Sequence, residues 1–178
     1  MKTTKDEMRK IKYLILDVDG TMTDSGIYYD EKGNEQKRFS TRDGEGIKIA
    51  RHTGIIVIVL TGRKCFATER RMRELNIDFF EQGVLNKYEL VRTYMSERSI
   101  KREEVGYIGD DINDLKAMSL AGYIGCPADS CREVKELADY VSPVCGGQGA
   151  VRDIIEHILH KSGEWDDVLR KMYQMSES

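Results

Sequence analysis

Apolar residues in this chain gather into short unbroken runs, separated by stretches in which they recur every three or four positions. The runs Tyr13-Leu-Ile-Leu16, Ile56-Val-Ile-Val-Leu60 and Val105-Gly-Tyr-Ile108 admit no charged residue, and shorter pieces lie at 78–80 and 123–124. Strands buried on both faces read this way. Helical spacing fills the intervals and is plainest over 86–97, where Leu90, Val91, Tyr94 and Met95 share one face. The alternation predicts an α/β fold, a doubly wound parallel sheet. Residues 25–40 break the rhythm: they alternate around Gly33-Asn34 and predict a β-hairpin inserted after the first strand.

The residues at the ends of these apolar runs are chemically loaded. The first run ends in Asp17-Val-Asp19-Gly20-Thr21, the second in Thr61-Gly62-Arg63-Lys64, and the fourth in Gly109-Asp110-Asp111-Ile-Asn-Asp114, while Lys87 stands at a helix entrance. Ligands of open α/β sheets bind beyond the carboxyl ends of the strands, so these residues are expected at one site. Asp and Gly are also ordinary turn residues, and no one segment decides the matter alone. Several carboxylates drawn together require a compensating cation. Magnesium fits, since it takes oxygen ligands, keeps several waters and borrows few carboxylates. The histidines His52, His157 and His160 fall on predicted helices far from these tips and are read as solvated or packed.

Asp17-x-Asp19-Gly-Thr21, Thr61-Gly62, Lys87 and Gly109-Asp110-Asp111-x-x-Asp114 together resemble the four motifs of the haloacid dehalogenase-like phosphatases, in the family's order and across nearly the whole chain. The resemblance implies that Asp17 attacks phosphorus to give an aspartyl-phosphate and that Asp19 is the general acid and base. It also implies that Asp17, Asp110 and the backbone carbonyl of Asp19 bind magnesium. Asp111 or Asp114 would support the metal from behind, and Thr61, Gly62 and Lys87 would hold the phosphoryl oxygens.

Many members of that superfamily carry a substantial cap domain; here only the hairpin at 25–40 intervenes. Chains of this capless type resemble the small 3-deoxy-D-manno-octulosonate 8-phosphate phosphatases and their nonulosonate 9-phosphate relatives. Those are tetramers in which a neighbouring subunit covers the site. The run Phe39-Ser-Thr-Arg42-Asp43-Gly44-Glu-Gly46-Ile47, the run Tyr107-Ile-Gly-Asp-Asp111 and the run Gly146-Gly-Gln-Gly149-Ala-Val-Arg152 mark the subgroup. Arg42, Arg63, Lys64, Gly147 and Gly149 are therefore expected to contact a sugar-acid phosphate, with Arg42 able to fork onto its carboxylate. Asp43 is expected to cap the adjoining helix. Arg63 favours the octulosonate branch, whereas Glu45 and Asn113 look more like the nonulosonate one. An octulosonate substrate would imply lipopolysaccharide synthesis. A phosphomutase and a non-catalytic assembly module are the rivals; the first needs a cap this chain lacks, and the second is argued against by the presence of Asp17, Asp19, Lys87 and Asp110.

Composition narrows the picture. With 178 residues and 40% hydrophobic content, one domain spanning 1–178 is expected. The segment 162–178, with Trp165, Val168, Leu169, Met172 and Tyr173 at helical spacing, reads as a tail helix whose end frays, and 1–10 as a loose lead-in. A formal net charge of −3 and a single basic run at 69–74 argue against nucleic acid. No stretch of about 18 apolar residues and no signal-peptide pattern is present, so a cytoplasmic protein without membrane contact is expected. Cys65, Cys126, Cys131 and Cys145 show no metal or disulfide spacing and are expected as reduced thiols. Alkylation of Cys65, close behind Arg63-Lys64, is expected to inhibit by obstruction.

Overall fold

The computed structural model describes residues 11–175; the expected lead-in at 1–10 and the last residues of the tail lie outside the described residues. Six parallel strands form one sheet: β1 (Tyr13–Leu16), β4 (Ile56–Thr61), β5 (Phe79–Gln82), β6 (Val105–Ile108), β7 (Tyr123–Cys126) and β8 (Tyr140–Val141), in the order β5-β4-β1-β6-β7-β8. β2 (Tyr28–Tyr29) and β3 (Glu35–Gln36) pair antiparallel as the inserted hairpin. The helices are α1 (Thr41–His52), α2 (Phe66–Glu74), α3 (Lys87–Glu97), α4 (Leu115–Met118), α5 (Arg132–Leu137), α6 (Ala150–Ser162) and α7 (Trp165–Tyr173). The chain runs outward from β1 through β4 to β5, then returns to lay β6 on the other side of β1. The order reverses at β1, which puts the ligand crevice beyond the ends of β1 and β6.

Alternation along the central strands explains why their runs are apolar throughout. Leu14, Leu16, Val57 and Val59 enter one core with Ile47 and Ala50 of α1 and Ile154, Ile155 and Ile158 of α6. Ile15, Ile58, Leu60 and Tyr107 face the opposite core with Val91 of α3, Met118 of α4 and Val134 of α5. Both faces are covered, so alternate positions on either side are core positions, with only the strand entrances Tyr13 and Ile56 reaching solvent. The sheet gains β8, which no sequence signal announced, and the tail is divided: α6 ends at Ser162 with left-handed Gly163 as its cap, and α7 begins two residues later.

The entrance to α1 corrects one expectation. Ser40, not Asp43, caps α1, its Oγ accepting from the N–H groups of Arg42 and Asp43 at 3.2 and 3.4 Å. Asp43 belongs to the first turn of α1, where its carboxylate reaches the N-terminus of α6 and accepts the Arg152 N–H at 3.0 Å. The N–H groups of Gly149 and Val151 support the same carboxylate. One helix thereby caps another more than a hundred residues away, at a crossing so close that a Cβ on Gly46 would lie 2.8 Å from the Arg152 Cα.

Burial pushes the Asp43 carboxyl up to about 6, with the α6 N–H groups pulling the other way. Its folded-state value exceeds the unfolded one, so the folded protein holds this proton more firmly. The stabilisation is full at low pH and is lost as pH rises through about 6. Relative to Asp43→Asn, the parent protein should therefore lose up to about 3 kcal/mol of stability between about pH 4 and pH 7. Urea unfolding across that range reads the difference, and parallel curves for the two proteins would refute it.

Candidate active site

β1 ends at Leu16 and the next residue, Asp17, is buried with its N–H on the Ile108 carbonyl at 3.0 Å. The chain then folds back on itself, the N–H groups of Met22 and Thr23 both reaching the Val18 carbonyl at 2.9 and 3.1 Å. Gly20 makes this possible twice over: its φ is +91°, and a Cβ there would lie 2.0 Å from Oδ2 of Asp110. From above, Gly146 closes on the same turn so tightly that a Cβ would lie 1.9 Å from the Gly20 carbonyl oxygen. Thr21 sends its hydroxyl to Asp110 Oδ1 at 3.0 Å, and Gly147 gives its N–H to the Thr21 carbonyl at 3.2 Å. The tip of β6 and the glycine loop before α6 are thus built against the tip of β1.

Lys87 is the cation at the centre. As the first residue of α3 behind the Asn86 cap, it projects a buried ammonium that donates to Asp17 Oδ1 at 2.6 Å and Asp114 Oδ1 at 2.7 Å. Tyr107, fully buried on β6, gives its hydroxyl to the same Asp114 oxygen at 2.8 Å. Burial would lower the Lys87 ammonium, but the charges of Asp17 and Asp114 outweigh it and hold it above its ordinary value. The carboxyls go the same way for a different reason. Burial, joined by the charge of Asp114, pushes Asp17 up to about 7 despite Lys87; burial, joined by the charge of Asp17, pushes Asp110 up to about 8.

Negative charge is therefore in excess. Ligand oxygens of Asp17, Asp110 and Asp114 lie within 4.8 Å of one another, and Asp114 Oδ2 is buried with no hydrogen-bond partner among the described residues. One ammonium against three carboxylates leaves room for a hard cation, and an all-oxygen donor set fits magnesium. The Asp19 carboxylate stands outside this group. It meets the Lys37 ammonium on Oδ1 and the Thr61 hydroxyl on Oδ2, the latter at 3.4 Å. Asp111 is exposed and accepts the N–H of Ile112 in its own loop, so of the two acids considered for a supporting role it is Asp114 that joins the cluster.

The remaining candidates distribute unevenly. Thr61 is buried at the tip of β4 with Gly62 exposed beside it. Arg63 forks onto Glu35 of the hairpin at 2.8 and 3.3 Å, and Lys64 lies along Gly83. Arg42 and Gly149 share a cleft of about 360 Å³ with Gln148 and Arg152, while Gly147 is spent on the turn after β1. Glu45 is engaged by Tyr173 of α7 at 2.7 Å, and Cys65 is buried with its thiol toward the Glu35 carbonyl. His157 stacks on Tyr140 at 3.8 Å between ring centroids, and His160 packs near Trp165. Sequence reasoning missed the parts played by Tyr107, Glu35 and Lys37. The last two sit on or beside β3, and their partners Asp19 and Arg63 come from other loops, so no local pattern announces the contact.

The family model of the haloacid dehalogenase-like hydrolases matches residues 78–152, from β5 to the start of α6. The chain is 38% identical to the 3-deoxy-D-manno-octulosonate 8-phosphate phosphatase of Escherichia coli K12 over 157 residues, 88% of this chain and 84% of that one. It belongs to that phosphatase family. The Haemophilus influenzae member is 37% identical over 90% of this chain and 89% of its own length. Two solved members of the family superimpose closely. One, the Haemophilus influenzae enzyme in its cobalt-bound form, has a TM-score of 0.86 at 36% identity and covers 95% of this chain and 98% of its own. The other, from Moraxella catarrhalis in complex with magnesium, phosphate and 3-deoxy-D-manno-octulosonate, has a TM-score of 0.88 at 33% identity, covering 93% and 95%.

Two measurements probe the charge balance. Protons compete with a divalent cation for Asp17 and Asp110, so the apparent dissociation constant for magnesium should rise roughly tenfold or more between about pH 8 and pH 6.5. Titration calorimetry reads this directly, and a pH-independent constant would contradict it. Tyr107→Phe removes a hydrogen bond to a buried carboxylate and should cost about 1.5–3 kcal/mol in urea unfolding.

Proposed function

We propose that this protein is a magnesium-dependent phosphatase that hydrolyses 3-deoxy-D-manno-octulosonate 8-phosphate to the free sugar acid and inorganic phosphate. The observation that carries it is the buried Asp17 at the tip of β1, held by Lys87 and flanked by Asp110 and Asp114, in a chain whose relatives bear that activity in their names.

In this reading Asp17 is the nucleophile. Lys87 fixes one of its carboxylate oxygens and leaves the other to attack phosphorus in line with the sugar oxygen. The new bond to Asp17 forms as the bond to the sugar breaks, and Asp19 gives its proton to the departing alkoxide. Water then attacks the aspartyl-phosphate, Asp19 takes the proton, and phosphate leaves. Thr61, the Gly62 N–H and Lys87 hold the phosphoryl oxygens throughout, so most of the acceleration is positioning and charge neutralisation. Magnesium, when held by Asp17, Asp110 and the Asp19 carbonyl, supplies charge neutralisation and orientation for the phosphoryl group.

The substrate carboxylate would fall to cations at the rim. Arg42 is exposed and carries no ion pair among the described residues, and Gly149 beside it permits close approach. Arg63 and Lys64 lie on the loop after β4, where Arg63 is already paired with Glu35. Around the same end of the sheet stand Ile27, Tyr28, Tyr29, Phe66, Leu85 and Ile112, all exposed and large. A rim this apolar suits a protein surface better than water, and a homotetramer in which a neighbour covers the mouth is the assembly it supports. The four cysteines are all free thiols, which accords with a reducing cytoplasm, and the product would serve lipopolysaccharide synthesis. Among the described residues no helix is long and apolar enough to cross a membrane.

Phosphate release in the presence of magnesium tests this directly. Catalytic efficiency on the octulosonate 8-phosphate should exceed that on a nonulosonate 9-phosphate by at least about tenfold, roughly 1.4 kcal/mol of transition-state discrimination. A reversed ratio would reassign the substrate. Asp17→Asn should reduce turnover at least about a thousand-fold while leaving the assembly intact by light scattering; retained turnover would remove Asp17 from the nucleophile's role.

A further inference from the structure

The hairpin contributes a half-buried ion pair that the phosphatase chemistry above does not use. Glu35 on β3 and Lys37 just beyond it both reach the sheet tips, Glu35 meeting Arg63 after β4 and Lys37 meeting Asp19 after β1. The Lys37 side chain is only 1% exposed, although it belongs to a surface insertion, and its ammonium sits on Asp19 Oδ1. Glu35 Oε1 stands 3.4 Å from the same ammonium, and Glu35 is itself gripped by the Arg63 fork. Arg63 holds the Glu35 carboxyl below its usual range, so the anchor of Lys37 stays charged. The other Asp19 oxygen reaches the Thr61 hydroxyl at 3.4 Å. The Asp19 side chain is 28% exposed, and the hydrogen bonds its carboxylate accepts among the described residues come from Lys37 and Thr61, both outside its own loop.

We propose that Lys37 is a positioning residue for Asp19, with Glu35 and Arg63 locking it in place, so that the hairpin orients the acid and base. This rests on the reading that Asp19 protonates the leaving group. Lys37 acts through Asp19: it sets where the Asp19 carboxyl points when the bond from phosphorus to the sugar oxygen breaks and a proton that Asp19 has first taken up from water moves to that oxygen. A loosely held Asp19 delivers that proton less often. The loss then depends on how much the leaving group needs the proton.

The test compares kcat/KM for two esters, a sugar phosphate whose alkoxide must be protonated and 4-nitrophenyl phosphate, whose phenolate leaves unaided. Lys37→Met, which preserves the buried stem, should lose at least about tenfold more on the sugar phosphate than on the aryl ester. Lys37→Arg, which keeps a cation within reach of Asp19, should recover most of that difference. Equal losses on both esters, or no loss on either, in a variant whose circular dichroism matches the parent would overturn the role of Lys37. Asp19→Asn run in parallel separates this from the underlying reading. Equal losses for Asp19→Asn would remove the leaving-group assignment itself, whereas a selective loss for Asp19→Asn alone would overturn only the positioning by Lys37.

Discussion

An ammonium buried between two carboxylates governs the architecture of this protein. Lys87 is withdrawn from water together with Asp17 and Asp114, and desolvating such charges costs several kcal/mol per ion unless geometry and hydrogen bonds offset it. The geometry here is short and multiple: two carboxylates share one ammonium, and the Tyr107 hydroxyl takes up further capacity of Asp114. These groups come from the tip of β1, the start of α3, the strand β6 and the loop beyond it. Holding them together requires the sheet order that is observed, with β6 laid directly against β1. The site is therefore a constraint on the topology as much as a product of it.

The loops obey a second constraint, which is closeness of backbone. Three chain segments converge above β1, and the approach of Gly146 to the Gly20 carbonyl leaves no space for a side chain at either place. Helix ends are stitched by the same economy. Asp43 lies on α1 and serves α6, so the two helices that cover the Leu14 and Val57 face of the sheet are tied at their entrances as well as along their lengths. Placing a capping side chain on a different helix fixes the angle at which the helices meet in a way that a local cap cannot.

The strands were legible because both sheet faces are covered, which leaves unbroken apolar runs such as Ile56 to Leu60. β8 was not, since Tyr140 and Val141 make two ladder contacts and nothing in two residues distinguishes an edge strand from a loop. The acids and the lysine of the site could be read because each comes after a strand or opens a helix in an order that the chemistry demands. Asp43 was misread for the opposite reason: Ser40 and Asp43 are both good capping residues, and only tertiary structure decides which N–H groups each one meets. Tyr107 looked like any strand aromatic until its hydroxyl found Asp114. Lys37 and Glu35 sit on a hairpin whose docking no local pattern reveals. Arg63, read as a group for the substrate, is bound to Glu35 by the same docking.

The strand order has a consequence for how the chain reaches this state. β1 takes β4 as one neighbour, some forty residues on, and β6 as the other, some ninety residues on. Closing the longer loop adds less than about 1 kcal/mol of chain entropy to closing the shorter one, but it is the step that brings Asp110 and Asp114 to Asp17. The repulsion among Asp17, Asp110 and Asp114 therefore belongs to the β1–β6 pairing and not to the β1–β4 pairing. The strand that carries the costly acids into the site is thus the same one that supplies the Tyr107 hydroxyl to offset part of their charge.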